Sequence, residues 1–241
     1  MSTTTERTIS EIAAETPSSI RVFESLGIDY CCGGKRSLAE ACARAGIGMD
    51  SVLKLLDAAE HDAQPSDQTQ WSNAPLTALI AEIVGRHHAF VRREIPRLNA
   101  LAAKVANKHG ESHREVQQIE QIFNALGEEL SMHLMKEEQI LFPYISGMES
   151  GGAAPPSCFG TVTRPIANMV AEHDDAGALL AKMRELSSGY QLPEGACLSY
   201  HALYQGLAEF ERDLHQHIHL ENNILFPRAV EMERRQQATG A

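Results

Sequence analysis

Two stretches of this chain carry histidine and glutamate at the same spacing. Residues 133–143 (HLMKEEQILFP) align without gaps with residues 217–227 (HIHLENNILFP), with six identities in eleven positions at an offset of 84. The shared positions are the histidine, the glutamate four residues later and a closing Ile-Leu-Phe-Pro. A spacing of four puts two side chains on one helix face, one turn apart. The repeat therefore predicts two helical His-x-x-x-Glu pairs, each followed by an apolar Ile-Leu-Phe triplet in the core.

Each pair is preceded by a further histidine on another predicted helix. His88 and His173 lie 85 residues apart, so each half of the chain has one upstream histidine and one His-x-x-x-Glu pair. If four such helices pack antiparallel, four imidazoles and two carboxylates can converge at the centre. Helix bundles build di-metal sites from inward-facing groups of this kind. The predicted metal ligands are His88, His133, Glu137, His173, His217 and Glu221.

The types of these ligands indicate which metal they bind. Imidazole and carboxylate suit iron, and the set lacks the thiolates that favour structural zinc. Two shared carboxylates can bridge two irons, and a bridging oxide or hydroxide still leaves each iron with an open position for a small diatomic molecule. We expect His88 and His133 to face one iron and His173 and His217 to face the other, although the pairing could be exchanged without changing the argument.

The duplication separates this interpretation from a simpler one. A single His-x-x-x-Glu pair on a helix is usually a surface pair worth about 0.2–0.5 kcal/mol. Six unpaired polar groups in a bundle core would each cost about 1–3 kcal/mol, which favours a bound metal. Metal-bound imidazoles need acceptors for their second N–H. Glu129 and Glu172 are candidates for this role or for the wall of a polar channel, and a solvated charge is the alternative for each.

A second chemical feature is the adjacent pair Cys31-Cys32. It lies in a predicted turn, Asp29 to Gly34, directly before a helix whose N-terminus is expected to lower a thiol pKa. The pair is predicted to be accessible, for thiol chemistry or as a docking site for a metal-bearing or cluster-bearing partner. The alternative is two small buried residues in a tight turn.

The elements that position these residues are predicted to be helices throughout. We expect an all-α protein with a small helical N-terminal domain (1–62), a linker (63–74) and an antiparallel four-helix bundle (75–235). In the first domain, Thr8 or Ser10 and the Ser37 capping box with Glu40 are start signals. The four long helices are predicted at about 75–106, 111–145, 164–187 and 194–233.

Composition and charge exclude several classes of partner. The net charge is −11 with a pI near 5.4, which argues against a nucleic-acid backbone as partner. No apolar run approaches the roughly 18 residues of a membrane span, and the N-terminus lacks a secretory pattern. We therefore expect a cytoplasmic protein with reduced cysteines.

With these motifs identified, the chain resembles the repair-of-iron-centres family, the YtfE/ScdA-like di-iron proteins. The resemblance covers nearly all of the sequence. It is carried by DYCCGGK at 29–35, KEEQILFP at 136–143, EHDDAG at 172–177 and LENNILFP at 220–227. It implies an ScdA-type N-terminal domain, a haemerythrin-like bundle with two iron ions, and iron ligands at the six positions that the repeat selects.

The resemblance also implies a function. Proteins of this family help to restore iron–sulfur clusters damaged by nitrosative or oxidative stress, which makes damaged iron–sulfur proteins or cluster-assembly proteins the expected partners. The alternatives are nitric oxide binding or its reduction to N2O at the di-iron centre, an enzyme activity for which no catalytic residue is assigned, and haemerythrin-type oxygen carriage or gas sensing. The protein is expected to be a monomer or a homodimer.

Overall fold

The computed structural model describes residues 6–62, 71–151 and 160–239. These residues form helices and no strand, with one isolated bridge between Thr8 and Ser37, so the predicted all-α class is confirmed. None of the described helices has the length and apolarity needed to cross a membrane. The chain divides into two compact units: a first unit of residues 1–80 and 215–241, and a second unit of residues 81–214. The predicted domain boundaries stay a prediction, and most of the linker lies outside the described residues.

Four short helices begin the first unit, and their ends follow from local sequence signals. Thr8 and Glu11 form one capping box, and Ser37 and Glu40 form another. Gly27 ends its helix in the left-handed conformation, where L side chains are strained (φ 66°). The helices are α1 (Ile9–Glu15), α2 (Ser19–Leu26), α3 (Leu38–Ala45) and α4 (Met49–His61).

These helices close over a small apolar core. Phe23 and Leu38 are fully buried, and Tyr30 and Cys42 lie in the same cluster. The apolar residues are spaced along each helix so that one face turns inward, as amphipathic helices require. The turn that carries the cysteine pair is therefore fixed through Tyr30 to this core.

The remaining elements contain the four long helical segments, whose ends lie within six residues of the predicted ones. Three short π-helical turns interrupt them. In chain order they are α5 (Leu76–Glu82), π1 (Ile83–His88), α6 (Ala89–His109), α7 (Glu115–Lys136), π2 (Glu137–Leu141), α8 (Phe142–Glu149), α9 (Thr163–Leu186), α10 (Leu198–Leu220), π3 (Glu221–Leu225) and α11 (Phe226–Thr239).

The π turns contain predicted metal ligands, but the turns themselves were not predicted from the sequence. π2 begins at Glu137 and π3 at Glu221, and the following phenylalanine donates its N–H to the carbonyl of that glutamate, five residues back. The next residue in each half is a proline, which has no N–H to donate and whose ring clashes with the carbonyl four residues back in an α-helix. The wider turn avoids this clash. π turns inside α-helices are frequent at functional sites.

The expectation that both Ile-Leu-Phe triplets are wholly core is wrong for the first one. Leu141 and Phe142 are buried, but Ile140 is 50% exposed, whereas its counterpart Ile224 is 4% exposed. Both repeats have the same π turn, so the difference comes from what packs against each turn. Within the first unit, π3 packs against α1.

The second unit is built from antiparallel helices around an aromatic core. The rings of Phe123 on α7 and Phe210 on α10 meet edge to face with centroids 5.2 Å apart, and Phe90 on α6 lies 6.2 Å from Phe210. At the other end of α6, His109 contacts Cys197 beside the start of α10. The helices α6 and α10 therefore run in opposite directions.

Candidate metal centre

Four of the six predicted ligands come together in the second unit. His88 ends π1, His133 lies on α7, Glu137 begins π2 and His173 lies on α9, and each is at most 3% exposed. His88 Nε2 lies 3.4 Å from Glu137 Oε2, and His133 Nε2 lies 3.3 Å from Glu137 Oε1. The Nε2 atoms of His133 and His173 are 3.0 Å apart. Three helical segments thus direct three imidazoles and one carboxylate toward the same space.

The Glu137 carboxylate lies between two sets of imidazoles. One of its oxygens faces His88, while the other faces His133, whose neighbour is His173. A carboxylate in this position can bind two cations, one through each oxygen. Within this unit His133 lies beside His173, so the geometry favours these two histidines as ligands of one iron, and not the expected pair of His88 with His133.

The other two predicted ligands lie in the first unit. His217 is near the end of α10 and Glu221 begins π3, both are fully buried, and His217 Nε2 is 3.0 Å from Glu221 Oε1. Their helix positions reproduce those of His133 and Glu137 on α7 and π2. The duplication seen in the sequence is therefore also a duplication of local structure, including the π turn.

Two carboxylates outside this cluster fix the orientation of the histidine rings. His88 donates from Nδ1 to Glu138 Oε1 at 2.6 Å, and Arg92 pairs with the same oxygen at 2.8 Å. The Nδ1–H of a histidine bonded in this way leaves the Nε2 lone pair for a metal. Burial raises the pKa of Glu138, but hydrogen bonds from Arg92 and His88 outweigh it, so the pKa is lowered overall. The Glu138 contact was not predicted from the sequence.

Glu172, one of the two residues suggested for an outer role, makes the equivalent contact on α9. Its Oε2 accepts from His133 Nδ1 at 2.7 Å, and its other oxygen pairs with Lys136. Burial raises the pKa of Glu172 and the bonds from Lys136 and His133 lower it by more, so Glu172 is held as an anion. His88 and His133 therefore each form a hydrogen bond to a different carboxylate, and a basic side chain pairs with each of these carboxylates.

A cavity of about 380 Å³ leads from the surface of the second unit to this site. His133 and His173 are part of its lining, as is Glu129, the second candidate for an outer role. Its other charged lining residues are Glu128, Lys136, Glu172 and Asp175. Glu129 thus lies on the wall of this cavity, and its role stays a prediction.

The adjacent histidine, His87, is directed away from the ligands. It is 1% exposed, and its Nδ1 lies 3.1 Å from Asp213 Oδ1. Consecutive residues on a helix point about 100° apart, so His87 and His88 cannot serve the same site.

The cysteine turn of the first unit differs from its prediction. Cys31 is 5% exposed and Cys32 is half-buried. The Cys32 thiol, burial and the charge of Asp29 together raise the pKa of Cys31, so the predicted lowering is wrong for this residue. The helix N-terminus does not dominate, because the Asp29 carboxylate accepts the N–H groups of Cys31 and Cys32 and brings a negative charge next to the thiols.

The cysteine turn is bonded to the helix that carries His217 and Glu221, within the same unit. Asn223 on π3 donates from Nδ2 to the carbonyl of Tyr30 at 3.1 Å, and the Tyr30 ring lies 5.5 Å from that of His219. Burial lowers the pKa of His219 to about 4, so its neutral ring can accept from Asn223 at 3.0 Å. The turn is therefore tied by a hydrogen bond to the helical segment that carries the second His-x-x-x-Glu pair.

Replacing Gly34 by alanine is expected to open this turn. A Cβ there would lie 2.6 Å from the Tyr30 carbonyl oxygen and 2.9 Å from Ser10 Cβ, and the backbone contact cannot be relieved by a side-chain rotation. We expect a cost of about 1–3 kcal/mol and faster alkylation of Cys31. Gly48→Ala is the control, because a Cβ there meets only Ser51 Oγ at 3.9 Å. Equal labelling rates in the two variants would contradict the packing described here.

The metal-binding character of the fold is supported by comparison with known proteins. A family model described as the Hemerythrin HHE cation binding domain matches residues 79–229. The chain belongs to the haemerythrin HHE family. A second model, ScdA_N, described as a domain of unknown function (DUF542), matches residues 5–60. In agreement with that description, the buried histidine and glutamate groups of this chain are suited to hold a metal ion.

Curated relatives of this HHE protein match it over nearly its whole length. The iron-sulfur cluster repair protein YtfE of Pectobacterium atrosepticum is 41% identical over 233 residues, covering 95% of this chain and 98% of the relative. YtfE of Pectobacterium carotovorum gives the same values, and YtfE of Yersinia pseudotuberculosis is 38% identical over 228 residues, covering 94% and 98%. The resemblance recognised from the sequence is therefore confirmed.

Replacing Glu172 by glutamine is expected to weaken cation binding about 10–100-fold without abolishing it. The amide keeps the shape of the side chain but removes the anion that orients His133. The measurement is the competition of a chelator for the bound metal. Asp175→Asn is the matched control, because Asp175 lines the same cavity and is exposed. An unchanged affinity in Glu172→Gln would show that the His133 contact does not support the ligand.

Proposed function

We propose that this chain is a di-iron protein that repairs damaged iron–sulfur clusters by donating iron. The ligands in this proposal are the six predicted residues, with Glu137 and Glu221 as bridges together with an oxide or hydroxide. The observation that supports it best is the Glu137 carboxylate, whose two oxygens face different histidines. A single cation bound on one side would leave the other carboxylate oxygen and the histidine it faces without a metal. The names of the relatives, which are iron-sulfur cluster repair proteins, support the repair function.

The donor set fits iron in the chemistry of its atoms. In the second unit it consists of imidazole nitrogens and carboxylate oxygens, a combination that suits iron and includes no sulfur. When bound, iron supplies Lewis-acid and redox chemistry at this place and is also the cargo that repair consumes. Glu138 and Glu172 hold the rings of His88 and His133 in the metal-binding orientation. The site would therefore keep its geometry after donating iron and could bind iron again.

The cavity supports donation, because it gives iron a route out of the bundle. His133 and His173 are reached from it, and four of its lining residues are acidic: Glu128, Glu129, Glu172 and Asp175. A cleft lined with one sign of charge concentrates ions of the opposite sign. An iron ion that leaves His133 would therefore move through an anionic channel, and Lys136 beside Glu172 moderates that charge.

The partners in this proposal are iron–sulfur proteins with damaged clusters, or proteins that assemble clusters, in the cytoplasm. Nitric oxide is included only as a small ligand of the centre. The alternative activity, reduction of nitric oxide, gains no support from the comparisons, whose relatives are named for cluster repair. Within the described residues, no specific observation favours oxygen carriage.

Iron transfer to an acceptor tests the proposal. The iron-loaded chain is mixed with an apo iron–sulfur protein in the presence and absence of nitric oxide, and iron content, cluster formation and N2O release are followed together. We expect iron to leave the chain and clusters to form in the acceptor, and Glu129→Gln to slow transfer more than it lowers the amount of iron bound. Iron that stays bound while N2O accumulates would overturn the donor role.

A further inference from the structure

The cysteine turn holds three potential metal-binding atoms that the iron centre does not use. Cys31 Sγ lies 3.7 Å from Cys32 Sγ and 3.4 Å from Asp29 Oδ1. All three residues can place a ligand atom within 4.8 Å of the other two. Two sulfurs and a carboxylate oxygen form a donor set different in kind from that of the histidine and glutamate residues.

The distances match those of a tetrahedral cation site. Metal–sulfur bonds of about 2.3 Å at the tetrahedral angle place two sulfurs about 3.8 Å apart. With a metal–oxygen bond of about 2.0–2.2 Å, the sulfur–oxygen separation is about 3.5–3.7 Å. The observed 3.7 and 3.4 Å lie close to both values. The sulfur separation is much longer than the roughly 2.05 Å of a disulfide, so no disulfide joins the two cysteines.

The backbone holds this arrangement in place. The Asp29 carboxylate accepts the N–H groups of Cys31, Cys32 and Gly33 at 3.1, 3.0 and 2.8 Å. Gly33 has no room for a side chain, since a Cβ there would lie 2.7 Å from Asp29 Oδ2. The turn is therefore closed tightly around one carboxylate, which fixes both cysteines next to it before any ion binds.

The exposure of the three residues leaves one side of the cluster open. Cys31 is buried, Cys32 is half-buried and Asp29 is exposed. A cation can enter from the Asp29 side, and water or a ligand from another molecule can take the fourth position, as in open zinc sites.

We propose that Asp29, Cys31 and Cys32 bind one thiophilic divalent cation of the Zn²⁺ class, at a site separate from the iron centre. Binding converts both thiols to thiolates and releases their protons to solvent. Sulfur ligands select zinc-like ions over hard cations such as Mg²⁺, whereas imidazole and carboxylate ligands are suited to iron. The chain would thus hold two kinds of metal in two chemically different places.

Cd²⁺ titration of the iron-loaded full-length chain, kept reduced, tests this site. Cadmium bound to thiolate gives a ligand-to-metal charge-transfer absorption, which histidine and carboxylate ligands cannot produce. We expect one equivalent to bind with this absorption, and Zn²⁺ to displace it. Cys31→Ser and Cys32→Ser should each weaken binding at least tenfold. Asp29→Asn keeps an oxygen for the backbone N–H groups and should weaken binding about 10–100-fold.

Cys197→Ser is the matched control, because Cys197 is a partly exposed thiol whose sulfur lies 3.2 Å from His109 Nε2. It should leave the absorption unchanged. An absorption that survives in the Cys31→Ser/Cys32→Ser double variant, or that disappears in Cys197→Ser, would overturn the proposal. Iron content measured in the same samples separates this result from the proposed function, since a chain that binds no iron can still bind cadmium at the turn.

Discussion

Replacing Glu137 by alanine is expected to lower the affinity of the chain for iron by more than about 100-fold, a larger effect than the 10–100-fold loss typical of residues that only orient a ligand. The reason is the position of the carboxylate between His88 on one side and His133 with His173 on the other. In the proposed centre, its removal would take a ligand from both iron positions at once, whereas the loss of one histidine would affect a single position. Iron per chain after reconstitution and desalting is the measurement.

Two further variants make this result specific. Glu138→Gln removes the carboxylate bonded to His88 but leaves the proposed bridge, so an intermediate loss of iron is expected. Glu128→Ala removes an exposed carboxylate on α7 and should retain all of the iron. If Glu137→Ala still binds two ions, the bridge is elsewhere and the proposed centre is wrong.

The same substitution should not destabilise the metal-free protein. Glu137 is fully buried, and burying a carboxylate is unfavourable unless a cation or hydrogen bonds compensate for the lost water. Alanine removes that cost, so the free energy of unfolding of the metal-free variant should be unchanged or higher. Functional sites commonly reduce stability in this way. A loss of more than about 2 kcal/mol in the metal-free state would instead assign Glu137 a packing role.

The helical elements could be predicted, and the candidate ligands could be proposed, because their signals are local or repeated. Thr8 and Ser37 begin helices through capping boxes that can be read from residues three apart. His133 and His217 are identified by alignment of the chain with itself, a comparison that needs no knowledge of the fold. A signal contained within one helical turn depends on local interactions, so it predicts the helix end and is seldom overridden by tertiary structure.

What the sequence did not predict depends on contacts between segments or on a break in the helical period. Glu138 contacts His88 from within the π turn that begins at Glu137. The sequence signal for this turn is a proline six residues after Glu137 and after Glu221, and such a proline is also compatible with a helix end. The pKa of Cys31 was misjudged because Asp29 was treated as a turn residue and not as a charge beside the thiols. Both errors concern electrostatic neighbours that only the folded chain brings together.

Replacing Phe123 by alanine is expected to reduce the free energy of unfolding by about 3–5 kcal/mol, the usual cost of truncating a fully buried phenylalanine. Phe123 is completely buried on α7, ten residues before His133, and its ring meets Phe210 of α10 edge to face. The substitution leaves a cavity and removes an aromatic pair worth about 0.5–1.5 kcal/mol beyond the buried area. Chemical denaturation of the metal-free protein is the measurement.

Met132→Ala is the control for Phe123→Ala, because Met132 lies on the same helix but is 57% exposed and should change stability by less than about 0.5 kcal/mol. Iron binds the folded state and stabilises it in proportion to the logarithm of its concentration, so excess iron should raise the stability of wild type and Phe123→Ala alike. Phe123→Ala should therefore bind iron normally while losing stability, the opposite of Glu137→Ala. If Phe123→Ala loses iron at concentrations where it is fully folded, the aromatic core and the metal site are coupled, and the ligands depend on packing ten residues away for their position.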